Sequence, residues 1–223
     1  MPRLARVVVP GIPHHVTQRG NRRQQTFFYE SDFELYKQHM AEWCSRHGVK
    51  VLTYCLMPNH THLVLVPSTA DGLARAVGEA HRHYTSAIHE RYSWRGYFWQ
   101  GRFGSFPMDE EYLLRATRYI LLNPVRAGFV SSPFDWPHSS ARAHRNRQPD
   151  PLIDPRPLDE RVESWDDYLA TGVPAKEEAS FRKHQRTGRP LGSQPFVRQL
   201  EKRLGRRLRP RRPGRPPKRQ PPG

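Results

Sequence analysis

Cysteine is nearly absent from this chain: Cys44 and Cys55 are the only two in 223 residues, too few and too poorly spaced for a disulfide framework or a cysteine zinc site. Nowhere do about 18 apolar residues run together, and the N-terminus has no long apolar stretch of the signal-peptide kind. A soluble, cytoplasmic protein with no membrane partner is therefore expected. Acids are scarce toward the C-terminus, where residues 182–219 hold fifteen Lys or Arg against the single acid Glu201. That block carries +14 of the formal +16 and leaves +2 for residues 1–181. Such a concentration is the footprint of a polyanionic partner. Nucleic acid fits better than an anionic membrane, because the block has few apolar residues.

A chain of this length can bury one core of ordinary size with residues left over. β-Branched and alternating residues over Val7–Val9 and Ile12–Gln18 predict a first strand, ending in the basic turn Arg19–Gly20–Asn21–Arg22–Arg23. Ser31–Asp32–Phe33–Glu34 has the form of a capping box, and Phe33, Tyr36, Met40, Trp43 and Cys44 then recur at helical spacing until Gly48. Residues 49–57 and 60–66 are dense in β-formers about the turn pair Pro58–Asn59, which predicts a hairpin. Leu73, Val77, Ala80, Tyr84, Ile88 and Tyr92 predict a second helix over 70–92. A short fourth strand is expected within 102–108. The acids Asp109, Glu110 and Glu111 then suit the start of a third helix running to about Leu122, since Pro124 disfavours helical geometry at Asn123. The order β–α–β–β–α–β–α is an α+β fold: a ferredoxin-like, split-βαβ antiparallel sheet with an added helix.

Chemistry concentrates in two places. Side chains two apart on a strand point the same way, about 6.5–7 Å apart along the chain, so His60 and His62 can converge on one ion while Thr61 faces the other side. The adjacent pair His14–His15 faces opposite sides of a strand, and His81 and His83 diverge on a helix. The alternative for His60 and His62 is a pair of ordinary polar residues at a strand end. On the third helix, Arg115, Tyr119 and Asn123 are spaced i, i+4, i+8 and share one stripe. A phenol beside a metal-bound phosphate can act as a nucleophile, and an amide oxygen as a further ligand.

With these residues in view, the chain resembles the REP-associated tyrosine transposases, relatives of the single-strand transposases of small bacterial insertion sequences in the HUH endonuclease group. The resemblance covers roughly residues 8–145. It is carried by His15–Val16–Thr17–Gln18–Arg19–Gly20–Asn21–Arg22, Met57–Pro58–Asn59–His60–Thr61–His62, Trp99–Gln100–Gly101–Arg102–Phe103, Arg118–Tyr119–Ile120, Asn123–Pro124–Val125–Arg126–Ala127–Gly128 and Asp135–Trp136–Pro137–His138–Ser139–Ser140. Thr61 departs from the bulky hydrophobic residue usual between the two histidines, on the side facing away from the metal.

The resemblance implies a metal-dependent cut of single-stranded, hairpin-forming DNA with a tyrosine nucleophile, Tyr119. It implies metal ligation by His60, His62 and Asn123. The mixed nitrogen and oxygen donors suit Mg2+ or Mn2+. DNA contacts are expected at Arg19, Asn21, Arg22, Arg23, Arg102 and Arg115, with Arg102 and Phe103 pairing a phosphate contact with base stacking. Arg211–Arg219 resembles a loose AT-hook, which adds Arg212 and Arg215.

The domain reading is a catalytic domain over 1–145, a linker or extension over 146–180 with one short helix around Trp165–Leu169, and a basic DNA-binding or largely disordered tail over 181–223, in which Gly188–Leu208 can form a cationic helix after Ser193. Monomer and homodimer both remain open. The rival readings are a non-catalytic nucleic-acid-binding regulator on the same fold and a zinc hydrolase built on His60 and His62.

Overall fold

The computed structural model describes residues 5–210. Its first half runs β1 (His14–Arg19), α1 (Glu30–Arg46), β2 (Val49–Met57), β3 (His60–Pro67), α2 (Gly72–Tyr92), β4 (Gly104–Pro107) and α3 (Glu110–Leu121). The four strands form one sheet of order β2-β3-β1-β4, antiparallel at every pairing. This is the expected ferredoxin-like arrangement.

Alternation along the strands gives the sheet two buried faces. Val16, Tyr54, Leu56, Leu63 and Leu65 pack on one side with Tyr36 and Met40 of α1 and Leu73, Val77, Tyr84 and Ile88 of α2. Cys55, Met57, Val64 and Phe106 pack on the other with Leu113, Ala116 and Ile120 of α3. Between them the sheet has helices on both sides and little solvent-facing surface.

Two helix starts differ from the expectation in instructive ways. The first helix begins at Glu30, and its cap is Asp32 in place of the expected Ser31–Glu34 box. The Asp32 carboxylate accepts the backbone N–H groups of Phe28 (2.8 Å) and Tyr29 (3.1 Å) and meets the Arg91 guanidinium at 2.6 Å. Val7 and Val9 do not belong to β1, because Pro10, Gly11 at φ 77° and Pro13 interrupt the extended run. Gly11 instead turns the chain and donates to Pro67 O at 2.8 Å.

The C-terminal third is built into the fold. It holds α4 (Asn123–Arg126), α5 (Ala141–Asn146), α6 (Arg156–Asp159), α7 (Trp165–Ala170), α8 (Ala175–Thr187) and α9 (Gln194–Leu204). Residues 146–180, expected as a linker, place Leu158, Val162, Trp165 and Leu169 in the same core as α3. The short helix allowed around Trp165–Leu169 and the cationic helix allowed after Ser193 are present as α7 and α9, and the order reaches Leu208, further than a largely disordered tail would. Ser193 caps α9 by accepting Phe196 N–H (3.3 Å), and Val197, Leu200 and Leu208 bury Val7 and Val9. Average composition hides this because α9 is cationic overall, while Phe196, Val197, Leu200 and Leu204 fall on one helical face.

The same segments pair along the β2 edge of the sheet and meet the β4 edge at its C-terminal end. Along β2, His138 O, the Ser140 N–H and the Asp154 N–H pair with Leu56, Tyr54 and Val51. Along β4, Leu191 N–H donates to Pro107 O at 2.9 Å. No helix among the described residues is long and apolar enough to cross a membrane.

Candidate active site

Register decides which side chains meet. Thr17 lies opposite His62 and Arg19 opposite His60, so His15, Thr17 and Arg19 of β1 share a face with His60 and His62 of β3. The two β3 rings stand with centroids 5.0 Å apart. In the hairpin turn, Asn59 donates its amide to Arg23 O (3.1 Å), which aims its Oδ1 at His60 Nδ1, 2.6 Å away. A carbonyl oxygen only accepts, so the proton sits on His60 Nδ1 and the lone pair on Nε2.

His62 is held by a residue the sequence reading set aside. His62 Nδ1 lies 2.9 Å from His15 Nε2, and the rings stack. His14 does point away, with Nδ1 at 2.7 Å from Ile12 O. Its neighbour His15, however, reaches the site, and only the pairing of β1 with β3 reveals this. A lone pair on His62 Nε2 requires Nδ1–H to donate to His15, which puts the His15 proton on Nδ1, a buried atom with no partner among the described residues. Burial pushes His15 down to about 3, burial and then Arg19 push His60 down to about 3, and burial followed by His60, His15 and Arg19 holds His62 well below the usual imidazole range. All three are neutral near pH 7, the form in which imidazole ligates a cation.

Helix α3 starts where Asp109 accepts Tyr112 N–H at 3.1 Å, and it carries Tyr119 to the same face. The Tyr119 ring lies 5.9 Å from His62 and 6.1 Å from His15 and is only 4 % exposed. Asn123 is buried at the first residue of α4, one helical turn further on, and its side-chain amide has no hydrogen-bond partner among the described residues.

Arg115 is engaged elsewhere: it pairs with Glu111 and with Glu177 at 3.6 Å and lies over the Tyr112 ring. The cation at Tyr119 is Arg126, whose guanidinium carbon sits 4.4 Å from the ring centre. The sequence stripe missed it because α3 ends at Leu121 and α4 restarts at Asn123 after the cap residue Leu122, so helical spacing cannot be carried through.

Helix α8 covers this group. Phe181 lies 4.8 Å from the Tyr119 ring, Glu178 pairs with Arg126 at 2.5 Å, and Glu177 pairs with Arg118 at 3.1 Å. Beside it opens a cleft of about 720 Å³, walled in part by His60, His62, Arg19, Arg23, Arg102 and Arg186. Those four arginines have no acid partner among the described residues, whereas Arg118 and Arg126 do.

Arg22 and Arg23 stand exposed at positive φ, 52° and 63°. Asn21 is used to hold the chain nearby, donating to Tyr97 O at 3.2 Å. Phe103 is not free to stack on a base, because it is buried with the Arg6 guanidinium 3.6 Å from its ring centre. Arg212 and Arg215 lie outside the described residues.

No group of three or more His, Cys, Asp or Glu able to hold a metal occurs among the described residues. The donors on this face are two neutral imidazoles and an unpartnered amide, a set compatible with a divalent cation that accepts mixed nitrogen and oxygen ligands.

An antiparallel βαββαβ sheet with a His-x-His strand facing a helical tyrosine defines a class. The chain matches the family model for IS200-like transposases over residues 8–123. It belongs to that family, and is thus a DNA-processing enzyme. Relatives with REP-associated names lie among its matches. It is 25% identical over 131 residues to the putative REP-associated tyrosine transposase of Haemophilus influenzae, a match covering 53% of this chain and 74% of that one. A solved structure of a REP-associated tyrosine transposase bound to a REP hairpin shares the fold with a TM-score of 0.57 at 20% identity, over 68% of this chain and 90% of that one.

Proposed function

We propose that the protein is a metal-dependent single-stranded DNA endonuclease and strand transferase acting at hairpin-forming repeats, with Tyr119 as the nucleophile. The observation that carries this reading is the Tyr119 ring seated against His62 beside a cleft of unpaired arginines. Attack of the Tyr119 oxygen on phosphorus makes a 5′-phosphotyrosyl link and releases a 3′-OH. A second 3′-OH can reverse the step and join strands without ATP, because the phosphodiester energy is kept in the link. A divalent ion, Mg2+ or Mn2+, held by His60, His62 and Asn123 supplies Lewis-acid polarisation of a phosphoryl oxygen. Arg126 and Arg19 stand where negative charge develops, and Arg23 and Arg102 hold flanking phosphates.

The test is incubation with single-stranded hairpins from the gene's own flanks and Mn2+, followed by mass spectrometry for a tyrosyl–DNA peptide. A link mapped to any residue other than Tyr119 sinks the assignment. One observation favours a second reading, a non-catalytic hairpin-binding regulator: Tyr119 is 4 % exposed under Phe181. Tight hairpin binding with no adduct under any divalent metal selects it. Stoichiometric tight zinc would instead revive the hydrolase.

The cover over Tyr119 yields a prediction of its own. Phe181→Ala removes a buried ring at a cost of about 3 kcal/mol, and it lowers the unfolding midpoint while raising the rate of adduct formation. Lower stability with no gain in adduct would show that Phe181 is only core.

The basic end of the chain is best tested by deleting residues 211–223, which removes five Arg or Lys. The log–log salt dependence of single-strand affinity then becomes shallower by up to about 3.5. A cut at 181 would remove Leu200 and Leu208 from the core and report on folding.

A further inference from the structure

We propose that single-stranded DNA flanking the reacting phosphate leaves the His60–His62 cleft over the edge of β4 and runs to a second basic groove at the end of α9. The starting point rests on the function proposed above. Beyond Arg102 the path is built from residues to which that function gives no role.

The cleft and a shallow depression of about 40 Å³ share Arg102, Gly104 and Arg186 in their walls. At the far side of that depression Arg6 is fixed by donating to Phe103 O at 3.1 Å. Arg206 of the α9 end donates in turn to Arg6 O at 2.9 Å. Arg206 also walls an open groove of about 700 Å³ together with Arg207 and Arg209. Cations therefore follow one another without a gap from the imidazole pair to the end of α9.

Among the described residues lining these three hollows the one acid, Glu201, is already committed. It accepts the backbone N–H groups of Leu208 (2.8 Å) and Arg209 (3.0 Å) and pairs with the Arg209 guanidinium at 2.9 Å. The groove is also held in place by packing, with Val197, Leu200 and Leu208 clamped on Val7 and Val9.

Charge selects the occupant. The middle depression is shallow, and a single file of cations beside it suits one sugar–phosphate strand laid across it with its bases turned outward. Contacts of this kind grip phosphates and read no sequence.

Affinity is measured on the full chain carrying Tyr119→Phe, so that no adduct forms. The probes are one hairpin alone, the same hairpin with a ten-thymidine single strand on its 5′ or 3′ side, and the same extensions made duplex. A single-stranded extension on one side is expected to tighten binding. In Arg206→Ala/Arg207→Ala that gain is lost, and the salt slope for the extended hairpin falls by about 1.4, as for two phosphate contacts. Arg207→Glu, which leaves the Arg206–Arg6 bond alone, should do the same if the double variant is less stable.

The proposal is overturned if neither extension tightens binding, if the gain survives in both variants, or if a duplex extension gives the same Arg207-dependent gain. Adduct formation by the wild type is read separately. An intact extension gain without any adduct would sink the catalytic reading and leave the path standing, and the converse would sink only the path.

Discussion

Tyr119→Phe is expected to abolish the covalent protein–DNA link while hairpin binding persists. The substitution removes one oxygen, and no hydrogen bond to that oxygen holds the fold among the described residues. The ring packs through its faces on Phe181, His62 and Arg126, contacts that phenylalanine keeps. Loss of nicking on the order of 10⁴-fold or more is the scale at which removal of a nucleophile acts in other enzymes. Gel-shift affinity and denaturing-gel analysis of the adduct, run side by side, separate the two quantities. An undiminished adduct in the variant would move the nucleophile elsewhere.

Asp32→Ala carries the largest expected effect on stability, about 3 kcal/mol or more. Its side chain is fully buried, satisfies two backbone donors at the entry to α1 and neutralises Arg91 of α2. Removing it orphans both N–H groups and leaves the guanidinium without its partner, and breaking a buried pair from one side typically costs about 3–5 kcal/mol. Arg91 is about one-third exposed, so water offsets part of its loss, which keeps the expected value at the lower end. Urea denaturation gives the number directly. Asp32→Asn, which keeps an acceptor, should fall between the variant and the wild type, and a shift below 1 kcal/mol for Asp32→Ala would refute the role assigned to the cap.

What could be read from the sequence was what local periodicity encodes. The β2–β3 hairpin about Pro58–Asn59, the long α2 and the stop imposed by Pro124 all follow from nearest-neighbour stereochemistry, and the structure has them within a residue or two. The contacts that complete the candidate site are non-local. His15 meets His62 across 47 positions of sequence through strand register, which no alternation pattern specifies. Arg126 replaces Arg115 at the tyrosine because a two-helix break shifts the stripe. In the C-terminal third the helices at Trp165 and after Ser193 were legible but their docking was not: its acids and arginines look like solvated charge, yet Glu177 and Glu178 pair with α3 and α4, and Trp165 and Leu169 join the core beneath α3.

The occupied β2 edge of the sheet bears on how copies of the chain can coexist. A strand with unpaired N–H and C=O groups is a template onto which another strand can add. Along β2 the backbone at 138–140 and 154 already occupies such positions. A second molecule cannot add a strand along β2 unless the backbone at 138–140 and 154 is first peeled away. Assembly by strand addition at that edge, and the fibrous accretion that follows from it, is therefore opposed by the chain's own C-terminal third.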